Sequence, residues 1–510
     1  MTIRAVCVTT ALGLALPVWS FAGQVSFQNH SNNMTTSGDD TFYHADFNHD
    51  GREDLAYIYE PSGISNGTFA VEFTDANENG DGGLNSGPVS YQVPLYNGAP
   101  DAIAELALGD FNHDGSMDIA AFTIESGNVY IYLNDGTGSF SLGGTYSYGP
   151  AGGTIGSVSA AVADFNHDQL FDLAFIVDGT LNIWLGDGKA GFTPVLSQPV
   201  SGQSLAIGDF DGDGHADLLI DRDPVATSSA NVYYGDGTGH FPQSITLSLP
   251  EGFAAFSAGD VNTDGKMDVM AVDSTVSANR IYVFYGDSSR TFSSRTTIPG
   301  ARCLADVPVQ AADLDGNGQN DLIFEDFDCA NPSTGPLYVN VLTRNADSSY
   351  NAPQTVYWPM VGVDASTNLP LDQPPIIWNA DGNSKPDILV QQCIESGCGL
   401  HWDTTLYNAT GWSFNPCDPP AATGVNVCSP VGGSVASPVA FSIGAAGTGP
   451  MRDVEIWVDG SKRAEQRYGF SNYTYFNGNV SLDVGHHNVV IVAAGWDQSE
   501  VNESFEIDVH

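Results

Sequence analysis

The sequence predicts an all-β protein with seven repeated antiparallel sheets followed by a small β-sandwich. Three observations lead to this prediction. An Asp/Asn-rich loop of nine residues recurs seven times, three apolar residues follow each copy, and a strand–turn–strand signature follows several copies. From about Cys417 the loops stop and short strand-like segments continue. We expect the repeats at residues 23–416, a linker at 417–424 and the sandwich at 425–510.

The composition limits the classes of partner. The chain has 510 residues and a formal net charge of −46, so it would repel nucleic acids and anionic membranes. Such acidity is typical of disordered chains, but 42% of the residues are hydrophobic, which is enough to build packed cores. The excess of acidic side chains therefore needs another role.

Residues 1–22 have the pattern of a secretory signal peptide. Arg4 supplies a positive charge, Ala5 to Val18 form a short apolar run, and Ala22 closes a segment suited to signal peptidase. The run is shorter than the about 20 apolar residues that a membrane-spanning helix needs. We expect the mature protein to be secreted, either free outside the cell or held at its surface, with no membrane insertion.

The seven loops share oxygen-bearing side chains at positions 1, 3, 5 and 9, and most have glycine at position 6. They begin, at a mean interval of about 55 residues, at Asp46, Asp110, Asp164, Asp209, Asp260, Asp313 and Asn379. Glycine permits a sharp turn, and a tight loop can present alternate oxygens to a hard cation such as calcium. Crowded aspartates repel one another, and a divalent cation reverses that penalty. The pattern therefore predicts cation-binding loops.

The residues after each loop predict a buried strand. Positions 10 to 12 are apolar in every copy, as in Ile119, Ala120 and Ala121, and apolar residues also precede most loops. Each loop is therefore predicted to join two antiparallel strands. An EF-hand is excluded because it needs Glu at position 12 and a helix after it, and no copy has a carboxylate there.

A second signature follows the loop in several repeats. Residues 129–140, 183–188 and 232–241 combine aromatic and β-branched residues with Asp-Gly and, in two of them, Gly-x-Phe. This order predicts a strand, a tight turn and another strand. Two hairpins make a four-stranded sheet, and seven such sheets arranged radially make a seven-bladed β-propeller. A linear solenoid is the alternative architecture.

Residues 23–416 resemble the FG-GAP/VCBS-type repeats of exported bacterial proteins, which are similar to the propeller of integrin α subunits. In that family the loop lies between two strands of a blade and binds calcium, with the position 7 backbone carbonyl as a further ligand. The resemblance implies several structural Ca2+ sites. Their ligands would come from Asp46, Asn48, Asp50, Arg52, Asp54, Asp110, Asn112, Asp114, Ser116, Asp118, Asp164, Asn166, Asp168, Asp172, Asp209, Asp211, Asp213, His215, Asp217, Asp260, Asn262, Asp264, Lys266, Asp268, Asp313, Asp315, Asn317, Gln319 and Asp321.

Two loops depart from the family pattern. Gln169 replaces the turn glycine of the third loop. The seventh loop begins with the neutral Asn379 and carries only Asp381 and Asp387 as acids. We expect these two loops to bind calcium weakly or not at all.

Three histidines recur at loop position 4, namely His49, His113 and His167. The alternation of ligands at odd positions should direct these side chains away from a bound cation. We expect exposed loop residues there, and a transition-metal site is the alternative.

The cysteines after residue 22 predict disulfides. Their even number, Cys303, Cys329, Cys393, Cys398, Cys417 and Cys428, is typical of disulfides in an exported chain. The sequence does not fix the pairing, and proximity along the chain favours neighbours. A zinc site is the alternative, but no CxxC pair accompanies these residues.

The C-terminal region predicts six or seven short strands and a β-sandwich. The strand-like segments are Val425–Val427, Val439–Ile443, Val454–Val458, Val480–Val484, Asn488–Ala493 and Phe505–Val509. Asp459-Gly460 predicts a hairpin turn. The segments 454–460, 485–489 and 494–497 are similar to bacterial Ig-like domains appended to exported proteins.

Two functions from different classes remain open. The first is a non-catalytic binding or adhesion protein, a monomer, that recognises a glycan or protein ligand at the cell surface or in the matrix. The second is an extracellular polysaccharide lyase, because some lyases are built on related propellers. A buried cluster of Lys, Arg, Tyr or His over a calcium would favour the lyase, but such a cluster is hard to build in a chain with only 15 Lys and Arg residues. Binding without catalysis is therefore the preferred hypothesis.

Overall fold

Antiparallel β-strands make up nearly all regular structure in the part of the chain that can be described, and no helix occurs there. The structure is a computed structural model. It describes residues 27–32, 42–59, 67–76, 82–84, 88–149, 155–221, 229–248, 253–273, 279–300, 302–305, 307–327, 337–351, 353–357, 363–364, 369–370, 375–380, 385–393, 401–408, 423–430, 433–446, 451–467, 473–495 and 500–510. The predicted signal peptide 1–22 and most of the linker 417–424 lie outside these residues. A search of the described residues for a helix that could cross a membrane found none.

Four antiparallel sheets, each with four strands in chain order, follow one another from residue 42 to residue 248. The strands of the first sheet are Phe42–Ala45, Asp54–Ile58, Thr68–Glu72 and Val89–Gln92. Those of the second are Ile103–Gly109, Asp118–Thr123, Asn128–Asn134 and Phe140–Ser147. Those of the third are Val158–Ala163, Asp172–Val177, Thr180–Gly186 and Phe192–Pro199. Those of the fourth are Ser204–Gly208, Asp217–Asp221, Ser229–Tyr234 and Gln243–Ser248.

Three further sheets continue the series. The fifth contains Phe253–Gly259, Asp268–Asp273, Arg280–Phe284 and Arg295–Pro299. In the sixth, Cys303–Leu304 and Gln310–Ala312 both pair with Asp321–Phe327, which is followed by Leu337–Leu342 and Gln354–Tyr357. The seventh contains Ile376–Trp378, Asp387–Cys393, His401–Asn408 and Phe27–Asn32. Two small hairpins pair Thr74–Ala76 with Gly82–Leu84 and Val363–Asp364 with Leu369–Pro370.

The apolar triplets form the second strand of each sheet, as predicted. Ile119, Ala120 and Ala121 have no exposed surface, which fits strands covered on both faces. Each loop joins the first strand to the second, and the residue before the loop pairs with the acid at position 9, as Gly109 does with Asp118. The prediction that the loops connect antiparallel strands is confirmed.

Each sheet shares an apolar core with the next sheet, and the seventh shares one with the first. Representative buried pairs, in chain order, are Phe69 and Ile119, Phe122 and Phe175, Ile183 and Leu218, Val232 and Val269, Val283 and Leu322, Val341 and Ile388, and Leu389 and Leu55. Burying one such side chain contributes about 1.5–3 kcal/mol. The order of these cores runs round a closed cycle, which a linear solenoid would not produce.

The N-terminal strand completes the last sheet. Phe27–Asn32 pairs antiparallel with His401–Asn408, so residues from the two ends of the repeat region share one sheet. An unpaired edge strand exposes a row of backbone donors and acceptors, and this pairing covers the edge of His401–Asn408. The closure was not predicted from the sequence.

The C-terminal region forms two sheets around a separate core. One sheet contains Gly424–Ser429, Val439–Ala446 and Tyr473–Val480. The other contains, in spatial order, Gly433–Val435, Glu500–Val509, Gly485–Gly495, Met451–Val458 and Ser461–Arg467. Phe441 from the first sheet and Ile456 and Ile491 from the second are buried in the shared core.

Two details of this region refine the sequence prediction. Asp459 and Gly460 form the predicted hairpin turn, and both have the positive φ that a two-residue turn of this kind requires. The predicted strand Val480–Val484 is wrong, because the strand Tyr473–Val480 ends there and Val484 is exposed in the connection. Asn477, Gly478 and Asn479 interrupt the apolar pattern just before Val480, so the sequence did not reveal that the strand lies before this residue.

The cysteines are described only in part. Cys303 and Cys428 are disulfide-bonded. Cys303 pairs in register with Phe327, two residues before Cys329. The neighbours favoured by proximity, Cys329 and Cys417, lie outside the described residues, so the pairings stay predictions.

Candidate metal-binding loops

The second loop shows how the repeated pattern folds. The backbone N–H of Asp114 donates to Oδ1 of Asp110 and to Oδ1 of Asn112, each at 3.0 Å. Gly115 donates to the other carboxylate oxygen of Asp110 at 2.8 Å, and Ser116 donates to Asp114 at 2.9 Å. The side chains at positions 1, 3 and 5 therefore turn into the loop, where they accept bonds from its own backbone.

The same four bonds recur in the first six loops, with distances between 2.7 and 3.2 Å. Carboxylate and amide oxygens have a second lone pair, so these bonds leave each oxygen able to coordinate a cation. Six copies of one geometry follow from six copies of one spacing.

Position 6 is left-handed in all six loops, including the one without glycine. Gly115 has a φ of 93°, and Gln169 adopts 70° at the same position of the third loop. Residues with a Cβ rarely adopt this conformation. The third loop therefore keeps the turn without glycine, at a cost in backbone strain, and the expectation that it binds calcium weakly stays a prediction.

The acid at position 9 ties three elements together. Asp118 is fully buried; its Oδ2 accepts the N–H of Phe111 at 2.9 Å, and its Oδ1 accepts the N–H of Asn134 at 2.8 Å. It thus joins the start of the loop, the second strand and the end of the third strand. Equivalent pairs of bonds are made by Asp54, Asp172, Asp217, Asp268 and Asp321.

Burial shifts the acid–base behaviour of these carboxyl groups. Loss of solvent is the largest cause, and the neighbouring loop aspartates add to it. The pKa is raised to about 7 for Asp54, Asp217, Asp268 and Asp321, and to about 6 for Asp118 and Asp172. A nearby cation would favour the ionised forms.

Three carboxylates converge in each of two loops, the fourth and the sixth. Oxygen atoms of Asp313, Asp315 and Asp321 in the sixth loop lie within 4.8 Å of one another. Asp209, Asp211 and Asp217 form the corresponding group in the fourth loop. Grouped hard oxygen donors at this spacing suit calcium, so the residues present fit the ion that the loop pattern implies.

Neighbouring loops contact one another through positions 4 and 7. His49 lies 3.3 Å from the hydroxyl of Ser116 in the next loop, and the ring centroids of His167 and His215 are 4.6 Å apart. His49 and His167 are exposed, as expected, but they also link consecutive loops. The position 7 side chains therefore turn toward the preceding loop.

The second turn of a repeat docks on the loop of the preceding repeat. The N–H of Ala190 donates to the carbonyl of Phe111 at 2.8 Å, and that of Gly239 donates to Phe165 at 3.0 Å. Asn134 makes the corresponding bond to Phe47 through its side-chain amide at 2.8 Å. The sequence predicted this turn but not its contact with the preceding loop, because the two segments lie in different repeats and are far apart in the sequence.

The seventh loop is described only at its ends. Asp387 is fully buried and accepts the N–H of Ala380 at 2.9 Å, as its counterparts do. Asp381 lies outside the described residues, so the expectation of weak calcium binding there stays a prediction.

Comparison with known proteins identifies the repeats. The model of the FG-GAP-like repeat matches residues 110–175, 164–220 and 260–324. Each match begins at position 1 of one loop and ends at position 12 of the next. The chain therefore contains FG-GAP-like repeats, in keeping with its repeated four-stranded sheets. No curated protein sequence matches the chain.

Three solved structures show limited likeness. A lectin from Agrocybe aegerita, described as recognising non-reducing terminal N-acetylglucosamine, has 17% identity and a TM-score of 0.44 over 63% of this chain and 80% of that one. Core factor from S. cerevisiae has 11% identity and a TM-score of 0.46 over 77% and 63%. A fungal alcohol oxidase in complex with copper has 12% identity and a TM-score of 0.43 over 95% and 100%.

Proposed function

We propose that this chain is a secreted, calcium-stabilised binding protein with a seven-bladed FG-GAP/VCBS-type propeller at residues 23–416. An Ig-like sandwich at 425–510 follows. The closed cycle of seven shared cores and the N-terminal strand in the seventh sheet support the propeller. The FG-GAP-like repeats and the proposed signal peptide at residues 1–22 support action outside the cell.

The calcium part of the proposal depends on the loop carboxylates. Asp313, Asp315 and Asp321 bring three carboxylates together on a protein that already carries a net charge of −46. Like charges at this spacing destabilise a fold unless a cation lies between them. When bound, calcium would supply that charge and a fixed coordination geometry. Residues 313–321 would hold it through the side chains at positions 1, 3, 5 and 9.

One observation favours a scaffold for binding over a catalytic centre. The buried aspartates of the first six loops each accept bonds from two backbone N–H groups, as Asp118 does from Phe111 and Asn134. Groups held in this way maintain the sheets. The ligand in this proposal is a glycan or a protein outside the cell, and connections between strands would form the surface that binds it.

A glycan array with the full mature chain tests this function. Calcium-dependent retention of one ligand class, lost in EGTA, is the expected result. Asp315→Asn should weaken the calcium dependence, and Asp508→Asn in the C-terminal sandwich is the matched control that should not. Release of unsaturated sugars from a pectic polysaccharide would contradict the proposal and favour a lyase.

A further inference from the structure

Arg290 reaches from the fifth repeat into the fourth loop. Its Nε donates to Oδ2 of Asp211, and its Nη2 donates to Oδ2 of Asp213 at 3.0 Å. Its Nη1 donates to the side-chain carbonyl of Gln243 at 2.7 Å, and the guanidinium lies 4.7 Å from the ring centroid of Tyr234. One cation is thus held by two carboxylates, an amide and an aromatic face.

The fourth loop differs from its neighbours at one of the two positions that Arg290 joins, because position 3 is Asp211 where the second, third and fifth loops have asparagine. In the second loop, Asn112 at position 3 donates its amide to Asp114 at position 5, at 2.7 Å. The third and fifth loops repeat this bond at 2.9 and 3.2 Å. The fourth loop has Asp211 and Asp213 instead, and two carboxylates cannot donate to each other. The guanidinium supplies the missing donors.

Asp211 makes the pairing energetically significant. Its side chain is only 3% exposed, whereas that of Arg290 is 27% exposed. A buried carboxylate without a partner is strongly destabilising, because its lost hydration is not replaced. The loop therefore needs a cation beside Asp211, and the chain itself provides one.

The backbone at Arg290 supports a specific role for this side chain. The same position of the second turn is Gly138, Ala190 and Gly239 in the three preceding repeats, and all four residues have positive φ. Arg290 adopts a φ of 59°, which a residue with a Cβ rarely does. Because the second turn of each repeat contacts the loop of the preceding repeat, a long side chain at this position brings its charge to that loop.

We propose that Arg290 is the resident cation of the fourth loop. It bridges Asp211 and Asp213, fastens the fifth repeat to the fourth, and opposes calcium binding at this loop. This inference rests on the proposed function, because it contrasts the fourth loop with other loops that are proposed to bind calcium. It revises the expectation that the fourth loop, which has the most aspartates, is a calcium site like the others.

Calcium titration of Arg290→Gln tests the inference. Isothermal titration calorimetry on the full mature chain should show one more calcium ion bound per chain than in wild type. In EGTA the Tm of the variant should fall below that of wild type, and saturating calcium should restore it. Arg295→Gln is the matched control, because Arg295 lies over the ring of Tyr282, 5.8 Å from its centroid, and should change neither quantity.

A second variant separates the ion pair from a general defect. Asp211→Asn combined with Arg290→Gln recreates the Asn–Asp pair of the second loop. The double variant should be more stable in EGTA than Arg290→Gln alone. An unchanged calcium stoichiometry and affinity in Arg290→Gln, or no recovery in the double variant, would overturn the inference.

The two proposals fail in different ways. A wild-type chain that binds no calcium would contradict the proposed function. If the wild-type chain binds no calcium but Arg290→Gln binds one ion, the role of Arg290 is supported although the proposed function is not. Calcium binding by neither chain would overturn both.

Discussion

Glu53 and Asn379 join the first and seventh loops across 326 positions of sequence. The N–H of Asn379 donates to Oε2 of Glu53 at 2.7 Å, and the N–H of Glu53 donates to the carbonyl of Asn379 at 2.9 Å. Although burial opposes it, the charge of His44, 2.9 Å away, holds the pKa of Glu53 below its usual value. This contact lies at the closure of the cycle of sheets.

Glu53→Ala should destabilise the repeat domain. The change leaves the half-buried N–H of Asn379 without its side-chain acceptor, which costs about 1 kcal/mol. Chemical denaturation followed by tryptophan fluorescence measures the loss. Glu53→Gln keeps an acceptor and should lose less, so equal losses for the two variants would contradict the assigned bond.

Variants of Asp118 and Asp114 should separate the two roles of the loop acids, which are to stabilise the sheet and to bind calcium. Asp118→Asn turns an amide toward a buried N–H and should lower the free energy of unfolding by about 1–3 kcal/mol, even without calcium. Asp114→Asn retains an acceptor oxygen on the surface and should change stability in EGTA by less than about 0.5 kcal/mol. Its effect should appear as weaker calcium binding. Equal losses of stability for the two variants in EGTA would contradict the role of Asp118 in joining the loop to the second and third strands.

Gln169→Gly should stabilise the third repeat. A residue with a Cβ in the left-handed conformation costs about 1–2 kcal/mol, and glycine removes this strain. Glycine also loses more backbone entropy on folding, which offsets part of the gain, so the free energy of unfolding should rise by about 0.5–1 kcal/mol. Gln169→Ala retains the Cβ and is the control that should show no such gain. Thermal unfolding in EGTA compares the two variants, and equal Tm values would contradict the role of strain.

The calcium-free protein should become less stable as the pH rises. The position 9 aspartates of the first six loops have folded pKa values of about 6 to 7 against an ordinary value of 3.8. The folded state therefore holds more protons between these values, and its stability falls as the pH rises through about 4 to 7. Saturating calcium binds the ionised forms, so it should reduce or reverse this slope. Calorimetry across this range, with and without calcium, measures both slopes, and a calcium-free Tm that rises with pH would contradict the account.

Local spacing explains what the sequence could predict. The loop pattern and the apolar triplet, as in Asp110 to Ala121, lie within twelve residues, so the hairpin and its acid cluster follow from short-range rules. The turn at Asp459-Gly460 is predictable for the same reason. The second turn was also recognisable from its own residues.

Contacts between distant segments explain what the sequence could not predict. Phe27–Asn32 has no strong apolar alternation, and its partner His401–Asn408 lies at the other end of the repeat region. The role of Arg290 depends on Asp211, 79 positions earlier. One signal for it was present in the sequence, namely an arginine where the preceding repeats have glycine or alanine.

A calcium titration of the wild-type chain tests the central claim most directly. Equilibrium calcium binding is measured together with Tm, in EGTA and at saturating calcium. We predict several bound calcium ions per chain and a Tm that rises with calcium concentration, because an ion that binds only the folded state stabilises it by mass action. A chain that binds no calcium, with the same Tm in both conditions, would contradict the account.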